Sequence, residues 1–540
     1  MRGTAARTTC RRLAATVAVL ALAGAACSSS DDEGSPSTTD GPTSSAAPTP
    51  PPETDPPEET TTSQVAAVPP TVSGPITTGD GPVRPQPVTP LPDGYTEEEF
   101  FFGGTASSFA AVGEQTPDGN WSVSADGEAT YETRMLVRRP PADRFSGVVL
   151  VEWLNVTAVE ASPDWAYLSE EIDRAGHVYV AVSVQQLGVT GGAGLLEVEV
   201  DPEAAAEAGS EVDSSGLVNA DPDRYGSLVH PGDAYALDIF SQAGAAIAES
   251  PDVVLGGLVP ISLIGVGESQ SAFFLTTYIN AVHPVASQYD GFMVHSRGGT
   301  AAPLDGNLSG GDDVDADQEV SEGVTIRTDL QEPVFMLQAE TDLTLLGFAS
   351  ARQPDTDTVR TWEVAGTAHA DAHVIGAATG GGRDASLGSL LGCDTPINTG
   401  PHHEVYQAAL AHLVEWVHDG TTPPEGPVLE LTGDDPVAIA RDDLGMALGG
   451  IRTPLVDVPV AIVSGDPPDE TDLDELDTCS LFGTTEALDQ ATLVELHGSA
   501  DAYVAAFRES ADAAVAAGFL LPADAEQLIA EAEDNRALFA

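Results

Sequence analysis

The chain has 540 residues, with 85 acidic side chains against 20 basic ones and a formal net charge of −65; every base is an arginine. That charge repels phosphate backbones and argues against nucleic acid as a partner. The length and a 42% hydrophobic content allow a sizeable core without staples.

The first 26 residues read as an export signal. Arg2, Arg7, Arg11 and Arg12 form a positive start, and Leu13 to Ala26 is an apolar run too short to span a bilayer as a standard helix. Ala25-Ala26-Cys27 reads like the end of a bacterial lipoprotein signal, with cleavage before Cys27 and acylation of its thiol. Acyl chains there would hold the protein on the membrane surface without a spanning helix. Residues 27–92 are rich in Ser, Thr, Pro and acids and nearly free of large apolar side chains, so the expectation is a disordered tether. Of the four cysteines, Cys10 leaves with the signal. Cys393 and Cys479 remain in the exported part. In an oxidising compartment they are candidates for a disulfide, two free thiols being the alternative.

The globular pattern runs to residue 540 and begins near residue 93. Gly103 to Arg139 alternates β-like runs with Gly and Asp turns, as in early antiparallel strands. Gly147 to Trp153 is a continuous apolar run, expected of a strand buried on both faces. A helix is expected from Trp165 to Ala175, a strand from His177 to Ser183, and a helix from Asp233 to Glu249 with Asp233 as its cap. Apolar strands follow at Ile261 to Gly267, Tyr289 to Ser296, Pro333 to Gln338 and Val359 to Val364. Further helices are expected over Glu404 to Trp416, Asp489 to Ala517 and Ala523 to Leu538, with Tyr503, Phe507 and Ala511 on one core-facing side. Strands alternating with helices predict an α/β fold: a mostly parallel, doubly wound sheet with helices on both faces and an extra C-terminal helical segment.

Three strand ends carry chemistry. Gly267-Glu-Ser-Gln-Ser271 places Ser269 at a strand-to-helix turn, the setting of a nucleophilic serine, although Ser271 stands where Gly-x-Ser-x-Gly has its last glycine. A serine hydroxyl needs a base, and the base an orienting acid. Ala339-Glu-Thr-Asp342 follows a strand and offers two acids. Asp342 is preferred because it falls in the loop, with Glu340 as the alternative. The last strand ends in Ala365-Gly-Thr-Ala-His369, which supplies the base. The order Ser, acid, His is that of α/β-hydrolases. The oxyanion hole is expected from the backbone N–H of Gln270 and one from Leu154 or Asn155. His369-Ala-Asp-Ala-His373 also has a spacing that could present metal ligands, but no second ligand cluster accompanies it; no metal and no cofactor are expected.

With these residues in hand, the chain resembles a large bacterial group of α/β-hydrolase-domain proteins, mostly without assigned activity. The resemblance covers roughly residues 95 to 535. It is carried by Val151-Glu-Trp-Leu-Asn-Val-Thr157, Arg224-Tyr-Gly-Ser-Leu-Val-His-Pro-Gly-Asp233, Gly267-Glu-Ser-Gln-Ser-Ala272, Trp362-Glu-Val-Ala-Gly-Thr-Ala-His-Ala-Asp371 and Gly449-Gly-Ile-Arg-Thr-Pro-Leu-Val-Asp457. The group's elbow also reads Gly-x-Ser-Gln-Ser, so Ser271 looks like a family variant. The expectation is an exported, lipid-anchored serine hydrolase of the bacterial cell envelope acting on a small carboxylic ester. The alternative is a non-catalytic ligand-binding lipoprotein on the same scaffold. Arg452 is a candidate for a substrate carboxylate, against the plainer reading that it pairs with a nearby acid. The oligomeric state is not legible.

Overall fold

A computed structural model of the chain describes residues 69–79, 81–192, 194–195, 216–308, 323–377, 382–433, 436–468 and 478–540. The signal segment, the acylation candidate Cys27 and the tether up to residue 68 lie outside the described residues.

Nine strands form one sheet: β1 (Thr71–Ser73), β2 (Thr96–Ala111), β3 (Val123–Arg139), β4 (Val148–Trp153), β5 (Val178–Val182), β6 (Ser262–Glu268), β7 (Gly291–His295), β8 (Val334–Gln338) and β9 (Val359–Glu363). Their spatial order is β1-β2-β3-β5-β4-β6-β7-β8-β9. The pairs β1–β2, β2–β3 and β3–β5 are antiparallel. The remaining pairs are parallel. The strands from β4 to β8 are buried at every position. That is why they read in the sequence as unbroken apolar runs rather than as alternation.

The pleat sends alternate side chains to two cores. Val149, Val151 and Trp153 face one core, packed with α2 (Ala236–Glu249) and α3 (Gln270–Thr277). Val148 and Leu150 face the other, together with α1 (Pro163–Ala175) and α4 (His402–Asp419). The helices α5 (Gln490–His497), α6 (Ala500–Ala517) and α7 (Pro522–Asp534) follow at the C-terminus. Tyr503, Phe507 and Ala511 are buried in the second core, and Arg174 of α1 binds Asp524 of α7 at 2.5 Å. The doubly wound α/β architecture with a C-terminal helical segment is thus the one read from the sequence.

Three local expectations differ. Thr71–Ser73 already pairs with β2, and Arg224 donates to the carbonyls of Ile76 and Thr78, so the folded part begins ahead of residue 93. A Pro-rich segment can lie along a sheet edge where buried arginines take up its carbonyls. The expected Asp489–Ala517 helix is two helices, α5 and α6, separated at Gly498, whose φ of 76° ends the first. Asp233 does not cap α2. It opens a short 3₁₀ turn, and its carboxylate accepts the N–H of Gln186 at 2.6 Å.

Cys393 and Cys479 form a disulfide across a sequence separation of 86 residues. Closing a loop that long restricts the unfolded chain, worth about 4–5 kcal/mol in the chain-entropy model. Reduction, or Cys479→Ser, should therefore lower the melting temperature by several degrees without moving the sheet. A thermal melt with and without reductant checks it; an unchanged melt would mean that the bridge restrains nothing.

Candidate active site

The parallel strands β6, β8 and β9 all end at the same edge of the sheet, and the residues singled out from the sequence follow those ends. Ser269 lies between β6 and α3 with φ 56° and ψ −120°. A non-glycine residue held at positive φ costs about 1–3 kcal/mol and persists only where its surroundings over-determine it. Two contacts do so here. The Ser269 N–H donates to His295 O at 3.0 Å. Gly267 sits so close to the helix that a Cβ there would lie 3.3 Å from Ser271 Cβ. A side chain at 267 would press on the helix, so the elbow favours glycine there and a small residue at 271, where Ser271 is fully buried.

His369 Nε2 lies 2.8 Å from Ser269 Oγ, and its Nδ1 lies 2.6 Å from Asp342 Oδ1. The other Asp342 oxygen accepts the N–H of Ala339 at 2.6 Å, which fixes the carboxylate at the start of the short helix Glu340–Thr344. Ser269 is half-buried, while His369 is 3% and Asp342 0% exposed. The imidazole is pulled two ways: burial disfavours its charged form, and the bond to Asp342 favours it, with a net rise above the ordinary histidine value.

Glu340, the other acid considered, is used differently. Its carboxylate accepts the N–H groups of Gly366 at 2.5 Å and Gly465 at 3.0 Å and pairs with Arg441 at 2.7 Å. It fixes the loop that carries His369 and does not bond the imidazole.

The Leu154 N–H donates to Val182 O at 3.3 Å and the Asn155 N–H to Ala161 O at 2.9 Å. Neither expected loop donor is therefore free for an oxyanion: the Leu154 N–H bonds the end of β5 and the Asn155 N–H closes the turn after β4. The next N–H, that of Val156, lies 3.4 Å from the side-chain oxygen of Gln270. That amide is anchored through Nε2 to Gln185 at 3.0 Å, and Gln185 in turn accepts from Trp153 Nε1 at 3.0 Å. The backbone N–H of Gln270 opens α3, where helix N–H groups have no partner within the helix.

The sequence reading passed over two features. Glu268, next to the serine, places Oε1 3.4 Å from His369 Nε2, while Asn155 Nδ2 donates to its Oε2 at 3.1 Å. Burial pushes this carboxyl up to about 8, against the opposing pull of His369. Behind the site, His295 Nδ1 faces Asp164 Oδ1 at 2.9 Å, and its Nε2 faces His402 Nε2 at 2.7 Å. His402 Nδ1 faces the carbonyl of Ala368 at 3.0 Å, so that nitrogen carries the hydrogen. His402 Nε2 then accepts from His295, and the proton between His295 and Asp164 comes from the acid. Burial raises Asp164 to about 7, which suits a protonated carboxyl. This network ties Ser269, through His295 O, to the residue preceding His369. Its signal in the sequence was a histidine closing a buried strand beside the elbow strand.

The His369-Ala-Asp-Ala-His373 segment is drawn to three sets of partners. His369 faces Ser269 and Asp342. Asp371 Oδ1 accepts Tyr167 OH at 3.1 Å and the His373 N–H at 3.0 Å. His373 stacks on His403 with ring centres 3.7 Å apart. Among the described residues no group of three or more His, Cys, Asp or Glu side chains could hold a metal ion. Arg452 pairs with Asp457 at 2.6 Å. The Arg224 to Asp233 stretch builds structure: Arg224 and Tyr225 bind the buried Glu99 at 2.6 and 2.9 Å.

The strand order, the antiparallel start, and a serine on a strained turn facing a histidine and an acid from later strand ends define an α/β-hydrolase fold. A family model described as alpha/beta hydrolase domain matches residues 72–530, and the chain belongs to that family. No curated protein matches the chain. Several solved structures are similar at low identity. Acetyl xylan esterase 1 from Thermoanaerobacterium sp. JW/SL YS485 is 9% identical over 55% of this chain and 80% of its own, with a TM-score of 0.26. Esterases from Rhizomucor miehei are 12% identical over 62% of this chain and 87% of theirs, with a TM-score of 0.27. A glucuronoyl esterase from Solibacter usitatus is 12% identical over 53% and 82%, with a TM-score of 0.25.

Proposed function

We propose that the protein is a serine hydrolase that cleaves small carboxylic esters through an acyl-enzyme on Ser269. The observation that carries this reading is the hydrogen-bonded chain from Ser269 Oγ through His369 to Asp342. In this mechanism Ser269 Oγ attacks the ester carbonyl as its proton passes to His369 Nε2. Asp342 holds Nδ1–H and stabilises the imidazolium. The C–O bond to the alcohol then breaks, and His369 returns the proton to the leaving oxygen. Water repeats the sequence to free the acid and restore Ser269. The oxyanion is held by the Gln270 N–H and by the Val156 N–H, whose bond to the Gln270 side chain at 3.4 Å is the longest of the three loop N–H bonds and the one to a side chain that can turn away. A fluorophosphonate probe tests the reading. Labelling of the wild type that is lost in Ser269→Ala supports it. Folded wild-type protein that neither labels nor hydrolyses short-chain esters contradicts it and favours a ligand-binding role.

The same reading extends to location. We propose that the chain is exported and anchored by acylation at Cys27, so that the hydrolase works outside the cytoplasm of a bacterial cell. The Cys393–Cys479 bridge supports an oxidising compartment. Cys27→Ala should leave ester hydrolysis unchanged and move the protein from the membrane fraction to the medium or soluble fraction. Retention of the variant on membranes would count against lipid anchoring.

A further inference from the structure

His369 has one lone pair to offer. Its Nδ1 faces the Asp342 carboxylate and carries the hydrogen, so Nε2 is the accepting nitrogen in the neutral ring. Two groups stand before that nitrogen: Ser269 Oγ at 2.8 Å and Glu268 Oε1 at 3.4 Å. The Glu268 side chain is aimed there. Its second oxygen is held by Asn155 Nδ2 at 3.1 Å, and the same Nδ2 donates to Glu268 O at 3.1 Å, which fixes the carboxyl relative to its own backbone. The residue is 6% exposed, so little water competes for Oε1.

We propose that Glu268 is a second carboxyl partner of His369, that its Oε1 and Ser269 Oγ compete for Nε2, and that the enzyme becomes competent only when the proton held between Glu268 and His369 has left. The inference rests on the hydrolase reading above. In the resting state one proton lies between Oε1 and Nε2, on either atom. While it stays, Ser269 Oγ–H has no lone pair to donate to. Transfer of that proton to hydroxide or buffer leaves a Glu268 carboxylate and a neutral imidazole. Ser269 Oγ–H then donates to Nε2, and attack can proceed. The carboxylate that remains favours the imidazolium formed during attack.

The groups that act on Glu268 come from several elements. His369 favours its ionised form; Asp342 after β8 disfavours it, as does Asp164 at the start of α1 whenever that carboxyl is ionised; the Asn155 amide favours it. Tyr167 of α1 and Tyr406 of α4 are neutral phenols whose ionisation the Glu268 charge opposes. Burial dominates this balance and pushes the carboxyl up to about 8. Lower pH loads the shared proton and higher pH removes it, so activity rises toward alkaline pH.

The test is the pH dependence of the rate at which a fluorophosphonate acylates Ser269, measured on the full chain and on Glu268→Gln, which keeps the shape of the side chain. In the wild type the rate should rise through a midpoint above the ordinary histidine value of about 6.5. In Glu268→Gln the midpoint should fall by at least about one pH unit, a tenfold change in proton concentration, so that the variant outpaces the wild type under mildly acidic conditions. A merely structural role would lower the rate at every pH and leave the midpoint in place, and that result overturns the proposal. Should the variant fail to fold, the wild-type profile decides: a midpoint at or below the ordinary histidine value overturns it. Absence of any labelling in the wild type would instead remove the hydrolase reading itself, so the two failures are distinguishable.

Discussion

Ser269→Ala should lose ester hydrolysis by roughly 10⁴- to 10⁶-fold in kcat, the loss expected when the nucleophile of a serine hydrolase is removed. KM should change little, because the substitution removes a group that acts in the transition state and leaves the surrounding walls alone. The fold should survive. Ser269 is half-buried, and its structural duty is carried by its backbone, through the N–H bond to His295 O and the turn at positive φ. Alanine at that φ carries a strain similar to that of serine, so the melting temperature should stay within a few degrees of the wild type. Steady-state kinetics on a short-chain ester, with a thermal melt, measure both. Residual activity above about a hundredth of the wild type would mean that another group is the nucleophile.

The second large effect belongs to Asp342. Asp342→Asn retains the shape of the side chain, but the amide can present its N–H₂ to His369 Nδ1. The ring then has to carry its hydrogen on Nε2, where it cannot accept a proton from Ser269. A loss of about 10⁴-fold in kcat is expected from such a tautomer change. Glu340→Gln is the contrasting variant. It removes the charge of a fully buried carboxylate whose partner Arg441 is partly exposed and also pairs with Asp466, and should cost about 1–3 kcal/mol of stability as the bonds to Gly366 and Gly465 weaken. Its kcat should remain within about tenfold of the wild type, since Glu340 bonds Gly366, Gly465 and Arg441 and not the imidazole. If Glu340→Gln proved the deeper catalytic lesion and Asp342→Asn the milder one, the orienting acid would have been misassigned.

How much of this was legible in the sequence depended on what kind of signal each feature leaves. The sheet was readable because β4 to β8 are buried on both faces, so each appears as an apolar run of strand length bounded by turn residues. Ser269, Asp342 and His369 were readable because each follows such a run, in an order that has chemical meaning. Asp342 was preferred to Glu340 because it was expected in a loop; both instead lie in the short helix Glu340–Thr344, and their hydrogen bonds show how different their surroundings are.

The features that were missed share a cause: they depend on which side chains meet across strands distant in sequence. Glu268 reads as the variable residue of an elbow motif. Only the fold brings it opposite His369 Nε2, with Asn155 beneath it. His295 and His402 are far apart in the chain and meet because β7 lies beside β6 and α4 packs beneath it. The N–H groups of Leu154 and Asn155, expected to serve an oxyanion, are used by the fold, which a sequence does not reveal; here β5 takes that of Leu154 and the turn that of Asn155. The Gly498 break was visible as a glycine within a helical pattern, yet such glycines are often tolerated in helices, and only the positive φ decided it.

The central claim is that Ser269 becomes acylated during turnover. The most direct measurement is mass spectrometry of the wild-type protein quenched in acid while it turns over an activated acetate ester, followed by peptide mapping. The account predicts one acetyl group on the peptide that contains Ser269, absent when the substrate is exhausted before quenching and absent in Ser269→Ala. Hydrolysis at full rate with no acetyl on that peptide, or with the acetyl on another residue, would contradict it.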